Sequence, residues 1–572
     1  MEDSNVLIYD QSILYLILAF SLFLWLLTIS TITVFDISID ARFGLMQYMP
    51  WYFWVGVFLL SLANGLGMLG LGTRVTRLSL LIVTMLFVWG TPCFVMPTVT
   101  GDAYWHASTS MRLTRTGYID SSVATSLEWP GSFIIGSALT LITEIDAHQL
   151  VQYYPILNGF LLTIGFYMLS KRILGSDHLA FISTTFMIMG QMFIQLHYSP
   201  YGTALSIFPI ILYLLLSEDA KRRSMGMLLS FCLVITHAIT PVFLVLILGI
   251  VPWLFSILFQ MRSGHPFTAI IILTSYVGWL IYAAITFSSY VHVGQRFYNM
   301  LLDLSRFEAV RESYFGYTPP EISYLRKGVF AFYWLAGFLG IISRFKTERS
   351  SKDPLYAVRA GMLIIPSALV FLVPYILGPI WFTTRPLDFA IFGSSINLPI
   401  FFSFLHLGKK SICSRDNSKQ TMGLLNISHR FLNKKYIIVL CSIFLLFPGV
   451  TLPHVEMGVF MTRQSSLAGD RFVATMATND TLIYSLPYAE YIFFNINLTE
   501  RNVRNFDFDH PYESRHLDAY DIIVFRYEAY LRYSYGYISS PYINGRDYVE
   551  SSPAFLNVYD SKGFHVYATE EG

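Results

Sequence analysis

Long apolar runs separated by short polar stretches make up most of the chain before residue 453. Runs of roughly 17 to 23 residues are long enough to cross the apolar core of a bilayer as helices. Residues 226–259 are too many for one span and contain a polar break at Thr236, His237 and Pro241, which predicts two helices that meet there. With those two, the total is about thirteen spans. The other predicted helices lie near residues 12–34, 50–70, 78–95, 148–170, 178–196, 201–217, 267–288, 327–343, 356–377, 386–406 and 436–452.

The last part of the chain, residues 453–572, has a different pattern. Short strand-like runs alternate there with polar and aromatic segments, and the runs are TLIYSL, DIIVFRY, FLNVYD and FHVYAT. The last two runs read as a closing hairpin with Gly563 at its turn. We therefore predict a small soluble α/β domain of residues 453–572 that follows a transmembrane domain of residues 1–452.

The composition agrees with a membrane protein. Of the 572 residues, 54% are hydrophobic and only 13% are charged, and the mean hydropathy is positive. The near balance of 38 basic and 37 acidic residues argues against nucleic acid as a partner. The first apolar run begins near Ile13 without a basic leader, so we interpret it as a retained helix rather than a cleaved signal.

Basic residues are distributed unevenly between alternate loops. One set of loops holds about nineteen Lys and Arg residues and the opposite set before residue 453 holds about eight, and positively charged loops stay in the cytoplasm. An odd number of spans then places the N-terminus in the cytoplasm and residues 453–572 outside. The predicted fold class is thus a polytopic α-helical protein of the cell membrane with a small extracytoplasmic C-terminal α/β domain. The basic loops are 73–77, 171–172, 221–223, 343–352 and 407–435, together with Arg262.

The predicted outer loop, residues 96–147, concentrates polar residues in the stretch PTVTGDAYWHASTSMRLTRTGYID. Asp102 and His106 are four residues apart, so a helix that begins here places both on one face. This geometry suits a binding or catalytic site. The alternative for Asp102 is that it caps a short helix at the membrane surface. The alternative for His106 is amphipathic packing beside Trp105.

Several segments, taken in order and spacing, resemble the integral-membrane GT-C glycosyltransferases, which use polyprenyl-phosphate sugars. In that superfamily an acid opens a segment of the first large outer loop that continues with Ala, Arg and Gly, as Asp102 and STSMRLTRTG do here. A Pro-Gly start of a juxtamembrane helix, and a helix that ends in two basic residues and Gly, look like Pro130-Gly131 and SKRILG. The similarity continues through ITHAITPVF and TTRPLDFAIF as far as residue 406.

The resemblance implies an inverting transfer of a sugar from a dolichyl- or other polyprenyl-phosphate donor to a glycan, lipid or protein acceptor. The sequence departs from the family in two places. No second acid lies beside Asp102, so a divalent metal such as Mg²⁺ or Mn²⁺, held by Asp102 and Glu128, is compatible with the sequence but not required by it. The nearest string to a WWDYG-like motif is YSYGYI at 533–538, so a monosaccharide transferase is a closer match than the catalytic subunit of oligosaccharyltransferase.

The chemistry of such a transfer requires a base for the acceptor hydroxyl and a cation for the leaving phosphate. Asp102 is the candidate base. Arg385, in TTRPLD at the outer mouth of a late helix, is the candidate phosphate clamp, because a guanidinium binds phosphate in a bidentate manner. The alternative is that Arg385 is an interface anchor paired with Asp388.

Four more residues are candidates for substrate binding. Glu128 is a second acid or metal ligand, or else a helix N-terminal charge ahead of Pro130. His197 and Tyr198 lie in a tight outer turn, and His237 lies at the helix break, where a cavity is expected. For the histidines the alternative is a buried structural role.

Two other classes of protein remain open. A transporter or flippase of a lipid-linked or small polar substrate also has a dozen or so helices, but it places ionisable residues inside its spans. Here the few charges in the predicted spans lie near span ends. The other class is a non-enzymatic protein whose helices only anchor a partner-binding C-terminal domain. Such a protein would not explain why polar residues cluster at the ends of the predicted helices. The sequence therefore favours a membrane glycosyltransferase.

Overall fold

The computed structural model describes residues 2–34, 37, 43–96, 101–118, 129–191, 196–260, 266–282, 320–351, 354–377, 384–412 and 434–452, and five strands between residues 483 and 569. Helices account for most of these residues. Both α3 and α10 contain a π-helical turn, at Leu86–Gly90 and Leu246–Ile250. The helices are α1 (Glu2–Thr31), α2 (Trp51–Met68), α3 (Arg74–Val95), α4 (Gly101–Thr116), α5 (Gly131–Thr143), α6 (Ala147–Leu174), α7 (Asp177–Met189), α8 (Pro200–Leu215), α9 (Ala220–Thr236), α10 (Thr240–Phe259), α11 (Pro266–Tyr282), α12 (Pro320–Ser351), α13 (Pro354–Leu377), α14 (Thr384–Ile412) and α15 (Lys434–Thr451).

A helix lies at every position where the apolar pattern predicted one. Among the described residues, five helical segments are long and apolar enough to cross a bilayer, and several shorter apolar helices accompany them. By length and composition, these helices indicate a membrane protein. The number of thirteen spans stays a prediction. The five segments are Gln11–Thr31, Trp51–Met68, Arg74–Val95, Thr240–Phe259 and Glu321–Phe345.

The predicted break in the long apolar stretch 226–259 is confirmed. Helix α9 ends at Thr236, His237 has an extended backbone, and α10 begins at Thr240. Pro241 follows directly in the first turn of α10, where its missing N–H group would have no helical partner in any case.

Helix α7 is shorter than the predicted span 178–196. It ends at Met189, and Gly190 follows. A Cβ atom at Gly190 would lie 2.7 Å from Ile391 Cγ2 and 2.9 Å from Tyr333 Cζ, so the chain passes very close to α14 and α12 there. Such close approaches at small residues are typical of helix packing in membranes.

Helix α14 lies at the centre of the bundle and packs against α7, α12 and α13. A Cβ atom at Gly393 would overlap the Met362 carbonyl oxygen of α13, so the two backbones are in direct contact. Phe389 and Phe392 of α14 are buried and stack with aromatic rings of α6, α8 and α10. The start of α14 is thereby fixed relative to the start of α8.

Charged residues at the starts of α3 and α7 and the end of α6 meet at one end of the bundle, which we call the basic end. Asp177 Oδ1 lies 2.9 Å from Lys171 Nζ and 3.8 Å from Arg74 Nε. Arg172 Nη2 lies 3.0 Å from Glu218 Oε1, in the loop between α8 and α9. Three of the loops that the sequence assigned to the cytoplasm therefore lie together.

The strands of the C-terminal part form one five-stranded sheet with the order β2-β1-β3-β5-β4. Strand β1 is parallel to β2 and β3, whereas β5 is antiparallel to β3 and β4. The predicted hairpin is confirmed as the pair β4 and β5, although Gly563 lies outside the described residues. The sequence did not predict β2. The strands are β1 (Ile483–Ser485), β2 (Val503–Asn505), β3 (Ile522–Arg526), β4 (Phe555–Ser561) and β5 (Phe564–Thr569).

Candidate functional site

The polar stretch that follows α3 forms helix α4, as its spacing predicted. Asp102 is the second residue of this helix and His106 follows one turn later, so both positions lie on one helix face. The structure does not describe the side chain of Asp102, and Glu128 lies outside the described residues. The roles assigned to these two acids therefore stay predictions.

His106 is buried between helices rather than exposed at an interface. Its side chain is 7% exposed, and its ring lies 5.6 Å from the Phe133 ring of α5 and 6.5 Å from the Tyr198 ring. These ring contacts help to hold α4 against α5 and against the turn before α8.

Tyr198 connects α4 and α5 to the turn before α8. Its hydroxyl donates a hydrogen bond to the Ser132 carbonyl at 3.1 Å and also contacts the Ser110 hydroxyl. Burial raises the pKa of the Tyr198 phenol well above its ordinary value, so the group acts as a neutral hydrogen-bonding link. We call His106, Ser110, Ser132, Phe133 and Tyr198 the Tyr198 cluster. His197, in the same turn, is half-buried.

A second group of polar side chains gathers around Tyr201, in the first turn of α8. The Tyr201 hydroxyl donates a hydrogen bond to Asp388 Oδ2 at 2.9 Å, and the Arg385 guanidinium carbon lies 5.3 Å from the centre of the Tyr201 ring. The ring of His237 is 5.1 Å away on the same tyrosine. We call Tyr201, His237, Arg385 and Asp388 the Tyr201 cluster.

His237 occupies the break between α9 and α10. It is 5% exposed, and its Nδ1 atom lies 2.8 Å from Thr240 Oγ1 and accepts the Thr240 N–H at 3.3 Å. The imidazole therefore caps the start of α10 in place of the missing helical carbonyl. The buried structural role that the sequence left open for His237 is present, and its ring also contacts Tyr201.

Arg385 and Asp388 do not form the ion pair that one interpretation of the sequence expected. Within the described part of the chain, the fully buried Asp388 carboxylate is held by the Tyr201 hydroxyl, and its Oδ1 atom has no hydrogen-bond partner. Arg385 is half-buried and lies over the face of Tyr201 instead. Tyr201 of α8 thus contacts both charged groups, Asp388 through its hydroxyl and Arg385 through its ring.

Three helices begin within contact distance of the Tyr201 cluster. Helix α8 begins at Pro200, α10 at Thr240 and α14 at Thr384. A helix N-terminus carries a positive partial charge, which favours an anion. Most of the first N–H groups of α8 and α10 are already accepted by Ser199, His237 and Ile239, so these two helices contribute mainly through that partial charge. We call this end of the bundle, where α8, α10 and α14 begin, the site end.

The two clusters lie side by side at the site end. Tyr198 and Tyr201 are three residues apart, on either side of Ser199, which caps α8 by accepting the Gly202 N–H at 3.0 Å. A Cβ atom at Gly131 would overlap Thr236 Oγ1, so α5 also begins against the end of α9. The structure thus brings together His106, Tyr198, His237 and Arg385, as well as Tyr201, which the sequence analysis did not single out.

A metal site remains a prediction that the described residues do not test. Among them, no group of three or more His, Cys, Asp or Glu side chains comes together. The two acids proposed as ligands, Asp102 and Glu128, have no described side chains.

Of the comparisons with known proteins, the one with solved structures gives matches. No protein-family model matches the chain, and no curated protein sequence matches it significantly. The chain is similar to the crystal structure of ArnT from Cupriavidus metallidurans in the apo state, with a TM-score of 0.44 and 11% identity over 82% of this chain and 93% of that chain. It is also similar to the crystal structure of ArnT from Cupriavidus metallidurans bound to undecaprenyl phosphate, with a TM-score of 0.44 and 12% identity over 90% of this chain and 98% of that chain. Both are structures of a GT-C glycosyltransferase. At this TM-score and identity, the similarity does not transfer a site or an activity to the present chain.

Proposed function

We propose that this chain is a membrane glycosyltransferase that transfers a sugar from a polyprenyl-phosphate donor to a glycan, lipid or protein acceptor on the outer face of the membrane. The observation that carries the proposal is the convergence of Arg385 with the N-termini of α8, α10 and α14 around Tyr201. A guanidinium beside several helix N-termini is suited to a phosphate group. A lipid phosphate can reach such a site while its tail stays in the bilayer.

In the proposed reaction, the acceptor hydroxyl oxygen attacks the anomeric carbon of the sugar and displaces the lipid phosphate, which leaves with the bonding electron pair. Asp102 removes the hydroxyl proton, and Arg385 stabilises the negative charge on the departing phosphate. His106, Glu128, His197, Tyr198 and His237 are proposed to line the substrate pocket. Any divalent metal would be held by Asp102 and Glu128.

The domain organisation and orientation are part of the proposal. Residues 1–452 form the transferase domain with the outer loop 96–147, and residues 453–572 form an extracytoplasmic α/β domain that helps to choose the acceptor. Parallel strand neighbours in the sheet support an α/β arrangement, because such pairs require crossover connections.

Cysteine labelling tests the orientation. A cysteine introduced by Ser465→Cys should react with an impermeant thiol reagent added to intact cells, because residues 453–572 are proposed to lie outside. The native Cys413, in the basic loop 407–435, should not react. Labelling of Cys413 alone would invert the topology.

The activity is tested with purified protein in proteoliposomes. Dolichyl-phosphate mannose and undecaprenyl-phosphate glucose, each labelled in the sugar, serve as donors, and crude membrane glycans, lipids and peptides serve as acceptors. We expect release of the free lipid phosphate and a labelled product with at least one donor. If the wild-type protein leaves both donors intact with every acceptor of this panel, the proposal is wrong for these sugars.

A transporter or flippase is a second candidate, and one observation favours it. Asp388 in α14 and Arg359 in α13 are both buried inside helices, at 0% and 5% exposure, as is common for residues along a transport path. The same proteoliposomes separate the two functions. A flippase would move the labelled lipid to the other leaflet without breaking its sugar–phosphate bond.

A further inference from the structure

The buried carboxylate of Asp388 is the least expected feature of the site end. Its side chain is 0% exposed, yet the only hydrogen bond it receives within the described residues comes from the Tyr201 hydroxyl, at 2.9 Å. A buried carboxylate normally requires a cation or several donors, because leaving water costs free energy. The nearby cation, Arg385, contacts the tyrosine ring instead. The hydrogen bond from the Tyr201 hydroxyl is therefore the main contact that the structure shows for the Asp388 carboxylate.

Tyr201 is fixed at two positions. Its hydroxyl is bonded to Asp388, and its ring packs against the His237 ring at 5.1 Å. His237 is itself fixed by Thr240, through the contact of 2.8 Å to its Nδ1 atom. With only 4% of its surface exposed, Tyr201 presents one defined ring face to Arg385.

The ring of Tyr201 is a platform for the guanidinium of Arg385. At 5.3 Å from the ring centre, the guanidinium is within the range of a cation–π contact. Stacking contacts the face of a guanidinium, whereas its N–H donors lie on its edge. An arginine that is held before the ligand arrives loses less side-chain entropy when it binds.

We infer that Tyr201 and Asp388 are positioning residues for Arg385, which set the orientation of its guanidinium toward the phosphate of the lipid donor. The inference rests on the proposed function, in which Arg385 binds that phosphate. Asp388 fixes Tyr201 by a hydrogen bond, and Tyr201 fixes Arg385 through its ring. Neither residue needs to touch the donor.

The test measures dissociation constants of undecaprenyl phosphate and of undecaprenol, which has the same tail without the phosphate, for protein in detergent. Tyr201→Phe removes the hydroxyl that contacts Asp388 Oδ2 at 2.9 Å and the Arg385 carbonyl oxygen at 3.3 Å, so it should weaken undecaprenyl phosphate binding about three- to tenfold and leave undecaprenol binding unchanged. Tyr333→Phe is the matched control, since Tyr333 is also buried and donates to the Phe186 carbonyl at 2.6 Å but lies in α12. It should bind both lipids as the wild type does.

Replacing Asp388 separates its hydrogen bond from its charge. The carboxamide oxygen in Asp388→Asn can still accept the Tyr201 hydroxyl, so this variant should stay within about twofold of wild type, whereas Asp388→Leu should match Tyr201→Phe. Equal losses in Asp388→Asn and Asp388→Leu would contradict positioning through the hydrogen bond. Melting temperatures in detergent identify any variant that binds less lipid because it is unfolded. If Tyr201→Phe has the melting temperature of the wild type, its lipid affinities decide whether Tyr201 positions Arg385.

A double variant tests whether Tyr201 acts through Arg385. In the Arg385→Lys background, Tyr201→Phe should have no further effect on undecaprenyl phosphate binding, because the bidentate guanidinium is already absent. Additive losses would overturn the inference. If Arg385→Lys alone leaves undecaprenyl phosphate binding unchanged, the phosphate clamp of the proposed function fails. If Arg385→Lys weakens binding while Tyr201→Phe does not, the clamp stands and only the positioning roles fail.

Discussion

The two ends of the helical bundle handle charge in opposite ways. At the basic end, Asp177, Lys171 and Arg74 form ion pairs whose side chains are between 37% and 63% exposed. At the site end, Asp388 is 0% exposed and accepts the Tyr201 hydroxyl, whereas Arg385 lies over the ring of Tyr201. Exposed pairs contribute little to stability, since water solvates both partners. A buried carboxylate that is kept away from the neighbouring cation costs free energy, which is typical of a functional site rather than of a stabilising contact.

The two ends differ in what their charges indicate about function. Charge at the basic end agrees with the topology predicted from the sequence, because loops rich in Lys and Arg lie together there. Charge at the site end is accompanied by a helix break and by three helix N-termini, whose positive partial charge favours an anion. Changes of charge should therefore affect activity at the site end and only stability, weakly, at the basic end.

The largest effect is expected from Asp102→Asn. Asn caps a helix about as well as Asp, so folding should survive, while the loss of a general base lowers the transfer rate by about a hundred- to ten-thousandfold. Asp177→Asn, at the basic end, is the matched control and should retain nearly full activity. The transfer assay in proteoliposomes measures both, with Glu128→Gln alongside. Full activity of Asp102→Asn with loss in Glu128→Gln would move the base to Glu128, and full activity of both would place the site elsewhere.

A smaller effect on stability is expected from Gly136→Ala in α5, next to the Tyr198 cluster. The added Cβ atom would overlap the Tyr198 hydroxyl and would lie 2.8 Å from Ser110 Oγ, so α5 must shift away from α4. Overpacking of this kind costs about 1–3 kcal/mol and should lower the melting temperature in detergent.

The matched control for Gly136→Ala is Gly278→Ala in α11. No atom lies within 4 Å of the Cβ position there, and alanine favours helix, so this variant should be stabilised by up to about 1 kcal/mol. Equal melting temperatures for the two variants would show that the contact between α4 and α5 does not constrain the site end.

Sequence reasoning located the helices well because each apolar run of the required length leaves few alternatives to a spanning helix. It also located the break at His237, where polar residues and Pro241 interrupt such a run. It did not find β2, which consists of the three residues Val503–Asn505 in a polar segment without alternation.

The contacts of the site could not be predicted in the same way. Tyr201 and Asp388 are 187 residues apart, and no local pattern indicates that they meet. The spacing TTRPLD suggested a pair between Arg385 and Asp388, which lie three residues apart on one helix. Only the position of α8 shows that Tyr201 contacts both of them. Local spacing thus indicated some residues of the candidate site but not Tyr201, and packing decided their partners.

The smallest effect is expected at the basic end. Hydrogen bonds from Lys171 and, less strongly, from Tyr167 lower the pKa of the Asp177 carboxyl, so its contribution to stability is present above its unfolded pKa and is lost as the pH falls through the lower folded value. Since the pair is exposed, Asp177→Asn should cost less than about 1 kcal/mol at pH 7. The difference from wild type should begin to fall near about pH 4 and should vanish at lower pH, once the carboxyl is protonated in the folded protein as well. Melting temperatures measured across this pH range check the prediction. A difference that grows as the pH falls would contradict it.

The most direct test compares the two ends in lipid binding. Dissociation constants of undecaprenyl phosphate and undecaprenol are measured for the wild type, for Arg385→Lys at the site end and for Arg172→Lys at the basic end. A bidentate charge-assisted contact predicts that the wild type and Arg172→Lys prefer the phosphate-bearing lipid about ten- to a hundredfold, and that Arg385→Lys loses most of this preference. Equal affinity of the wild type for the two lipids, or an unchanged preference in Arg385→Lys, would contradict a phosphate site at the convergence of α8, α10 and α14.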